Sequence, residues 1–422
     1  MTIMHKLKSE LGRQAMSRIK YEKFVPDLEN GPGSAKRAGE VARRLGITKT
    51  LIVTDKILVD IGLVGPINNA LQNAGTQTVI FDGVLPDPTV AQIEDGAEFY
   101  IANGCDGIIA IGGGSAMDCA KMIGAVVSNN KPPAAFAGAF KVRKRIPALI
   151  AVPTTHGTGS EVTFAAVVSD PVAQRKLLVS DFKIVPRVAI LDPELLTGLP
   201  PAISAATGMD ALTHAVESYL SPWATSYSLE KSRSAVKGVF DFILRAYHDG
   251  ESDLEAREGM LLASFNAGIG ISCGAVGYVH AIAHTLGYNY HTPHGVANAM
   301  ILPHVLRFYG DAAAPRLAEL ARLVGLSTTG NSDEDLARLF IDRICEMQRE
   351  MHMPTTVQGL RADRVDDMAT IALQEAHGER HSMLFRFGEF MMDTGYPTIK
   401  HMTHGECARI VRHCVAPPSS KL

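Results

Sequence analysis

The stretch IIAIGGGSAMDCAK, Ile108–Lys121, decides how the chain is read. A short apolar run meets three glycines and a serine, and a helical pattern starting near Ser115 follows at once. Strand, tight turn and helix in that order are the parts of a parallel βαβ unit. Gly113, Gly114 and Ser115 let backbone N–H groups approach a pyrophosphate, and the helix N-terminus adds a favourable dipole. The spacing differs from GxGxxG, so this is not the ordinary dinucleotide fingerprint. Asp118, one turn into the helix, counts among the cofactor-side residues; its plainer role is a first-turn carboxylate that complements the dipole.

Outward from this turn, short β-branched runs alternate with helical patterns. KTLIVTD (Lys49–Asp55), TQTVIFD (Thr76–Asp82), CDGIIAI (Cys105–Ile111), RIPALIAVPTT (Arg145–Thr155) and RVAILDP (Arg187–Pro193) read as five strands of a nucleotide-binding sheet. Asp55 ends the first of them, where a carboxylate can accept both ribose hydroxyls of an adenosine and repel a 2′-phosphate, which favours NAD over NADP; otherwise it is a cap or turn residue. PTTHGTGSEVT (Pro153–Thr163) follows another strand and offers hydroxyls and backbone donors suited to a phosphate or a carboxamide. Beyond Pro200-Pro201 the β-branched runs stop and helical periodicity continues to the end. The expected organisation is an extension over 1–22, a Rossmann-like α/β dinucleotide-binding domain over 23–199, and an all-helical domain over 200–422, with a ligand cleft between them.

Composition excludes several partners. The 422 residues are 46% hydrophobic and 20% charged, with 41 basic against 44 acidic side chains. That leaves no basic excess for nucleic acid. No apolar run approaches the roughly 18 residues that span a bilayer, and the N-terminus lacks the apolar core of a secretory signal, so a cytoplasmic protein without a membrane partner is expected. Six scattered cysteines without a CxxC pair argue against disulfides and thiolate zinc.

Five of the fifteen histidines fall between His280 and His304. His280 and His284 lie four apart on a helical pattern and share one face, as do Asp210 and His214. Each pair can present two ligands to one ion, and His294 sits at a rigid Pro-Gly corner. Three imidazoles and one carboxylate form a mixed nitrogen and oxygen set that suits Fe(II) or Zn(II) better than calcium.

IGGGSAMDCAK, PTTHGTGSEVT, ATGMDALTHAVESYLS and HAIAHTLGYNYHTPHGVANAMILPHV together resemble the iron-containing (group III) alcohol dehydrogenase family, in its lactaldehyde reductase-like branch, from about Lys23 to Val305. The resemblance implies a dehydroquinate synthase-like architecture with a catalytic divalent metal between the domains. Its metal ligands fall on Asp210, His214, His280 and His294. Its cofactor positions fall on Asp55, Gly113, Gly114, Ser115, Thr154, Thr155, Thr158 and Lys176, and His284 matches a histidine near nicotinamide and substrate, here the expected proton relay. The implied activity is NAD-linked interconversion of a small primary alcohol or diol and its aldehyde, with Fe(II) ahead of Zn(II), in a homodimer or larger homo-oligomer. A maleylacetate reductase or glycerol dehydrogenase on the same scaffold, or a dehydroquinate synthase-type lyase or cyclase, are the alternatives. Two departures stand out. His156 stands where the family usually has alanine, which leaves the nicotinamide or substrate environment open there, and His377–Asp393 reads as an insertion that reshapes the substrate mouth or an oligomer contact, or else as an additional surface helix.

Overall fold

The computed structural model describes residues 18–172, 175–327, 330–378 and 395–416, together with 10 and 12–14. The 1–22 extension and the 377–393 insertion therefore lie mostly outside the described residues. The sheet half holds β1 (Asp27–Asn30), α1 (Ala38–Arg44), β2 (Lys49–Val53), α2 (Lys56–Asp60), α3 (Val64–Asn73), β3 (Gln77–Phe81), α4 (Val90–Ala102), β4 (Gly107–Gly112), α5 (Gly114–Asn129), β5 (Gly138–Ala139), β6 (Ala148–Pro153), β7 (Ala165–Asp170), β8 (Arg175–Ser180) and β9 (Val188–Leu191).

Six strands form one sheet in the order β1-β9-β6-β4-β2-β3, and every pair in it is parallel. The five expected strands are all in it. The sixth, β1, escapes sequence reading because its DLEN is an edge strand whose side chains are mostly exposed. The central strands are continuous apolar runs because helices cover both faces. Leu51, Ile108, Ala110 and Leu149 face one buried cluster with α5, whereas Ile52, Ile109, Ile111 and Ile150 face the other with α1 and α3. A second sheet, β5-β8-β7, contains an antiparallel β7-β8 hairpin that the sequence did not announce.

Pro200 caps and Pro201 opens α6 (Pro201–Leu220), a position that suits proline because the first-turn amide has no helical partner. Among the described residues only helices follow: α7 (Ser226–His248), α8 (Leu254–Gly274), α9 (Tyr278–Tyr290), α10 (His294–Tyr309), α11 (Ala314–Leu323), α12 (Asp333–Glu350), α13 (Val365–Ala376) and α14 (His404–Arg412). Thr225, Ser332 and Thr403 close reciprocal capping boxes at three of their N-termini. Among the described residues no single helix is long and apolar enough to cross a membrane.

The halves share a buried cluster in which Val162 and Leu191 of the sheet side meet Leu261, Phe265 and Ile269 of α8, and the Tyr21 hydroxyl donates to the Val162 carbonyl. His156 belongs to this seam. Its imidazole is 0% exposed, with Nε2 3.1 Å from Ser204 Oγ of α6 and 3.3 Å from Arg257 Nη1 of α8. Burial, reinforced by the Arg257 cation, pushes the ring's pKa down to about 3. The unfolded chain takes up a proton near the ordinary histidine value of about 6.5 while the folded ring stays neutral, so stability is lost as pH falls below that value toward the folded pKa, at up to about 1.4 kcal/mol per pH unit. The thermal midpoint should therefore drop between pH 7 and pH 5, and His156→Ala should lose less over the same interval; equal losses would remove His156 from the account.

Candidate metal centre

Helix α6 places Asp210 and His214 one turn apart on one face, α9 does the same for His280 and His284, and His294 is the first residue of α10. Two local features aim these helices at one point. Ala275 turns α8 into α9 with a left-handed φ of 58°, and the two axes are bent by 105°. Gly295 lies against α6 so closely that a Cβ would stand 2.2 Å from the Ala206 carbonyl oxygen, which brings His294 beside Asp210.

The result is four ligand atoms, from Asp210, His214, His280 and His294, all within 4.8 Å of one another. Asp210 Oδ1 lies 3.8 Å from His214 Nε2 and 3.5 Å from His294 Nε2. His214 and His280 stack at 4.8 Å between ring centroids. A single amide faces the group: Asn298 Nδ2 lies 2.7 Å from Asp210 Oδ1, 3.2 Å from His280 Nε2 and 3.1 Å from His294 Nε2. Asn298 stands one turn after His294, a spacing that would have revealed it. Two amide hydrogens serve three lone pairs and none reaches His214, so the donors converge on a place that suits a cation. The set fits a divalent iron or zinc ion in number and chemistry.

Glu217 stands behind this group, and the sequence reading missed it. Its Oε2 lies 2.5 Å from His280 Nδ1 and its Oε1 accepts the Val279 N–H at 2.8 Å, with both side chains almost fully buried. The carboxylate thus caps the start of α9 and fixes which nitrogen of His280 faces inward. Glu217 follows Asp210 and His214 at the next helical repeat, so the spacing was there to be seen. Burial raises its carboxyl to about 7 and drives His280 well below the ordinary imidazole range, so the ring is neutral and can offer its Nδ1–H to Glu217 with the Nε2 lone pair facing inward. At Asp210 the same burial opposes ionisation, but His214, His294 and His280 outweigh it and hold the carboxyl below its usual range.

His284 is partly exposed and stacks on His294 at 5.3 Å, with the rings 18° from parallel. Its Nδ1 lies 2.6 Å from Glu375 Oε1 of α13, and that oxygen also accepts the Tyr396 hydroxyl at 2.8 Å. No local pattern in the sequence links these residues, which are brought together only by the packing of α9 on α13.

Of the residues expected on the nucleotide side, Asp55, Gly113, Gly114, Ser115, Thr154 and Thr155 lie at the carboxyl ends of β2, β4 and β6, where the strand order reverses direction, the usual ligand position of an open parallel sheet. Gly113 caps α5, with Gly114 and Ser115 in its first turn. Thr155 and Thr158 face Gly113 and Gly114, and the buried Thr154 donates its N–H to the Gly112 carbonyl at 3.0 Å. Asp55 caps α2, its Oδ1 accepting from Leu58 N at 3.0 Å, beside the same turn. Lys176 on β8 pairs with Asp87 at 3.0 Å. Asp118 is engaged elsewhere: one oxygen accepts from Ser160 Oγ at 2.7 Å and the other from Val167 N at 2.9 Å. The structure thus uses Asp118 to tie α5 to the Pro153–Thr163 loop and β7. Lys121, one turn on and fully buried, completes that tie with bonds to Ser160 Oγ, both Thr163 oxygens and the Ala165 carbonyl.

Two family profiles match the chain, "Iron-containing alcohol dehydrogenase" over residues 26–193 and "Fe-containing alcohol dehydrogenase family, C-terminal" over 204–385. Lactaldehyde reductase of Escherichia coli is 37% identical over 353 residues, 82% of this chain and 91% of its own. NAD-dependent methanol dehydrogenase of Bacillus methanolicus is 35% identical over 355 residues, 83% of this chain and 93% of its own. The crystal structure of a 1,3-propanediol oxidoreductase superposes with a TM-score of 0.86 at 35% identity, covering 92% of this chain and 98% of that one.

The Glu217 contact makes its own forecast. Glu217→Gln should leave the helical signal intact yet weaken metal binding about 10- to 100-fold in a chelator competition, the usual consequence of losing a carboxylate behind a histidine ligand. Wild-type affinity in that variant would mean the carboxylate serves only as a helix cap.

Proposed function

The chain belongs to the iron-containing alcohol dehydrogenase family, and we propose that it interconverts a small primary alcohol or diol and its aldehyde with NAD(H), at the cation site formed by Asp210, His214, His280 and His294. The observation that carries this reading is the convergence of those four ligand atoms within 4.8 Å. The relatives' names span lactaldehyde, methanol and 1,3-propanediol, all small oxygen-bearing carbon chains.

When bound, a divalent cation supplies Lewis acidity to a substrate oxygen, and the nicotinamide supplies or accepts the hydride. The chain's own residues supply placement and proton handling. The four ligands hold the cation, with Glu217 fixing the inward nitrogen of His280. Gly113, Gly114 and Ser115 hold the pyrophosphate of NAD at the start of α5, and Asp55 takes the ribose hydroxyls. Thr154, Thr155 and Thr158 border the nicotinamide side, with Lys176 nearby. His284 carries the proton of the substrate hydroxyl, its ring held by Glu375. Asp118 belongs to the scaffold of this site rather than to its nucleotide contacts.

In this reading residues 23–199 form the nucleotide half, 200–422 the metal half and 1–22 an extension. Iron is the family's metal, and the donor set accepts zinc as well. The protein acts as a homodimer or larger homo-oligomer in the cytoplasm, a setting consistent with its free cysteines, and neither nucleic acid nor membrane is a partner.

Metal-loaded protein prepared without oxygen should oxidise NADH in the presence of short aldehydes, and removing the metal should abolish turnover. Asp210→Ala should lose both metal and turnover while keeping its fold by circular dichroism. Metal-dependent chemistry without any net change in NADH would instead indicate a lyase or cyclase.

A further inference from the structure

The loop Pro153–Thr163 has two faces. One meets the glycine turn, where a Cβ on Gly113 would stand 3.4 Å from the Thr155 side chain and one on Gly114 2.9 Å from that of Thr158. The other lies on the helical half, where a Cβ on Gly157 would stand 2.3 Å from the Thr207 carbonyl oxygen of α6 and one on Gly159 2.7 Å from the Gly268 Cα of α8. These glycine contacts set how closely the loop and helices approach, but contact alone opposes neither sliding nor separation.

Hydrogen bonds do, and His156, directly before Gly157, makes them. Its Nε2 lies 3.1 Å from Ser204 Oγ and 3.3 Å from Arg257 Nη1. Arg257 also donates to Ser204 Oγ at 3.0 Å, to the Gly250 carbonyl at 3.0 Å and to the Leu199 carbonyl at 3.1 Å. All four partners are neutral acceptors around a guanidinium that is 2% exposed. A buried cation held this way depends on every acceptor staying in place, because a lost one leaves an N–H unpaired away from water. Ser204 sits on the same helix as Asp210, fewer than two turns ahead of it.

We propose that His156 is a positioning residue that locks the cofactor-side loop to the metal-bearing helix α6, so that cation and nucleotide each strengthen the binding of the other. This rests on the reading of the loop as the nicotinamide side of an NAD site. A cation held by Asp210 and His214 orders α6. Through Ser204, Arg257 and His156 that order reaches the loop, so NAD then has less conformational freedom to remove. By linkage the effect is the same in the other direction.

The test titrates NADH, followed by its fluorescence, into metal-free and Zn(II)-loaded protein. Zn(II) should tighten NADH binding in the wild type by about fivefold or more, the lower end of usual coupling between sites. In His156→Ala the ratio should fall to near one, and His156→Gln, whose side-chain oxygen can accept from Arg257, should recover most of it. A wild-type ratio of one, or an unchanged ratio in His156→Ala, overturns the proposal. Ser204→Ala gives a second route should His156→Ala not fold: its ratio should also fall, and an unchanged ratio is equally decisive against the lock. If the wild type binds no NADH in either state, the nucleotide reading falls and the lock with it; if NADH binds and only the ratios fail, the lock alone is lost.

Discussion

Three imidazole nitrogens and a carboxylate oxygen facing one another inside a protein repel unless something positive lies between them, and much of the helical half answers to that constraint. Burying such a group alone is unfavourable. Here the unfavourable part is offset by the Asn298 amide and by the Glu217 carboxylate behind His280. The close approach at Gly295 and the left-handed bend at Ala275 follow from the same demand, since three helix segments must end their side chains at one point. Neither feature would be chosen for stability alone, because a left-handed alanine is intrinsically strained.

The sheet half solves a different problem. Its parallel strands bury both faces, so their carboxyl ends are where backbone donors and polar side chains can be displayed together. The two halves meet along Pro153–Thr163, which leaves β6 on the sheet side and lies against α6 and α8 on the other. One short loop therefore sets the separation between the carboxyl ends of the strands and the helices that carry Asp210 and His280. Asp118, Ser160 and Lys121 fasten it to α5 from within.

Most of the architecture was legible because it is periodic. Apolar runs of four to six residues bounded by glycine and proline gave five of the six strands of the main sheet, and Pro200-Pro201 marked the change to helices. The strand β1 was missed because an edge strand needs no apolar alternation, and the β7-β8 hairpin because the readable signal next to it was the polar Pro153–Thr163 segment before β7. At the site, Asp210, His214, His280 and His294 were legible from spacing and family resemblance alike. Glu217 and Asn298 sat at helical spacing from ligands but were hidden by their ordinary role as solvated polar residues. Glu375 and Tyr396 had no local signal, since only tertiary packing brings α13 to α9. Asp118 and His156 show the converse: a motif position names a neighbourhood, while the direction of the side chain is settled by what surrounds it.

The two residues that steady His284 stand on either side of the span 379–394, and the chain on both sides of that span is tied together by the Tyr396 N–H, which donates to the Ala376 carbonyl at 2.7 Å. The chain therefore leaves α13 and comes back to Tyr396 at one backbone hydrogen bond, which fixes how far apart Glu375 and Tyr396 stand. The pair of groups that steadies His284 is thus registered by main-chain pairing, which does not depend on the identity of any side chain.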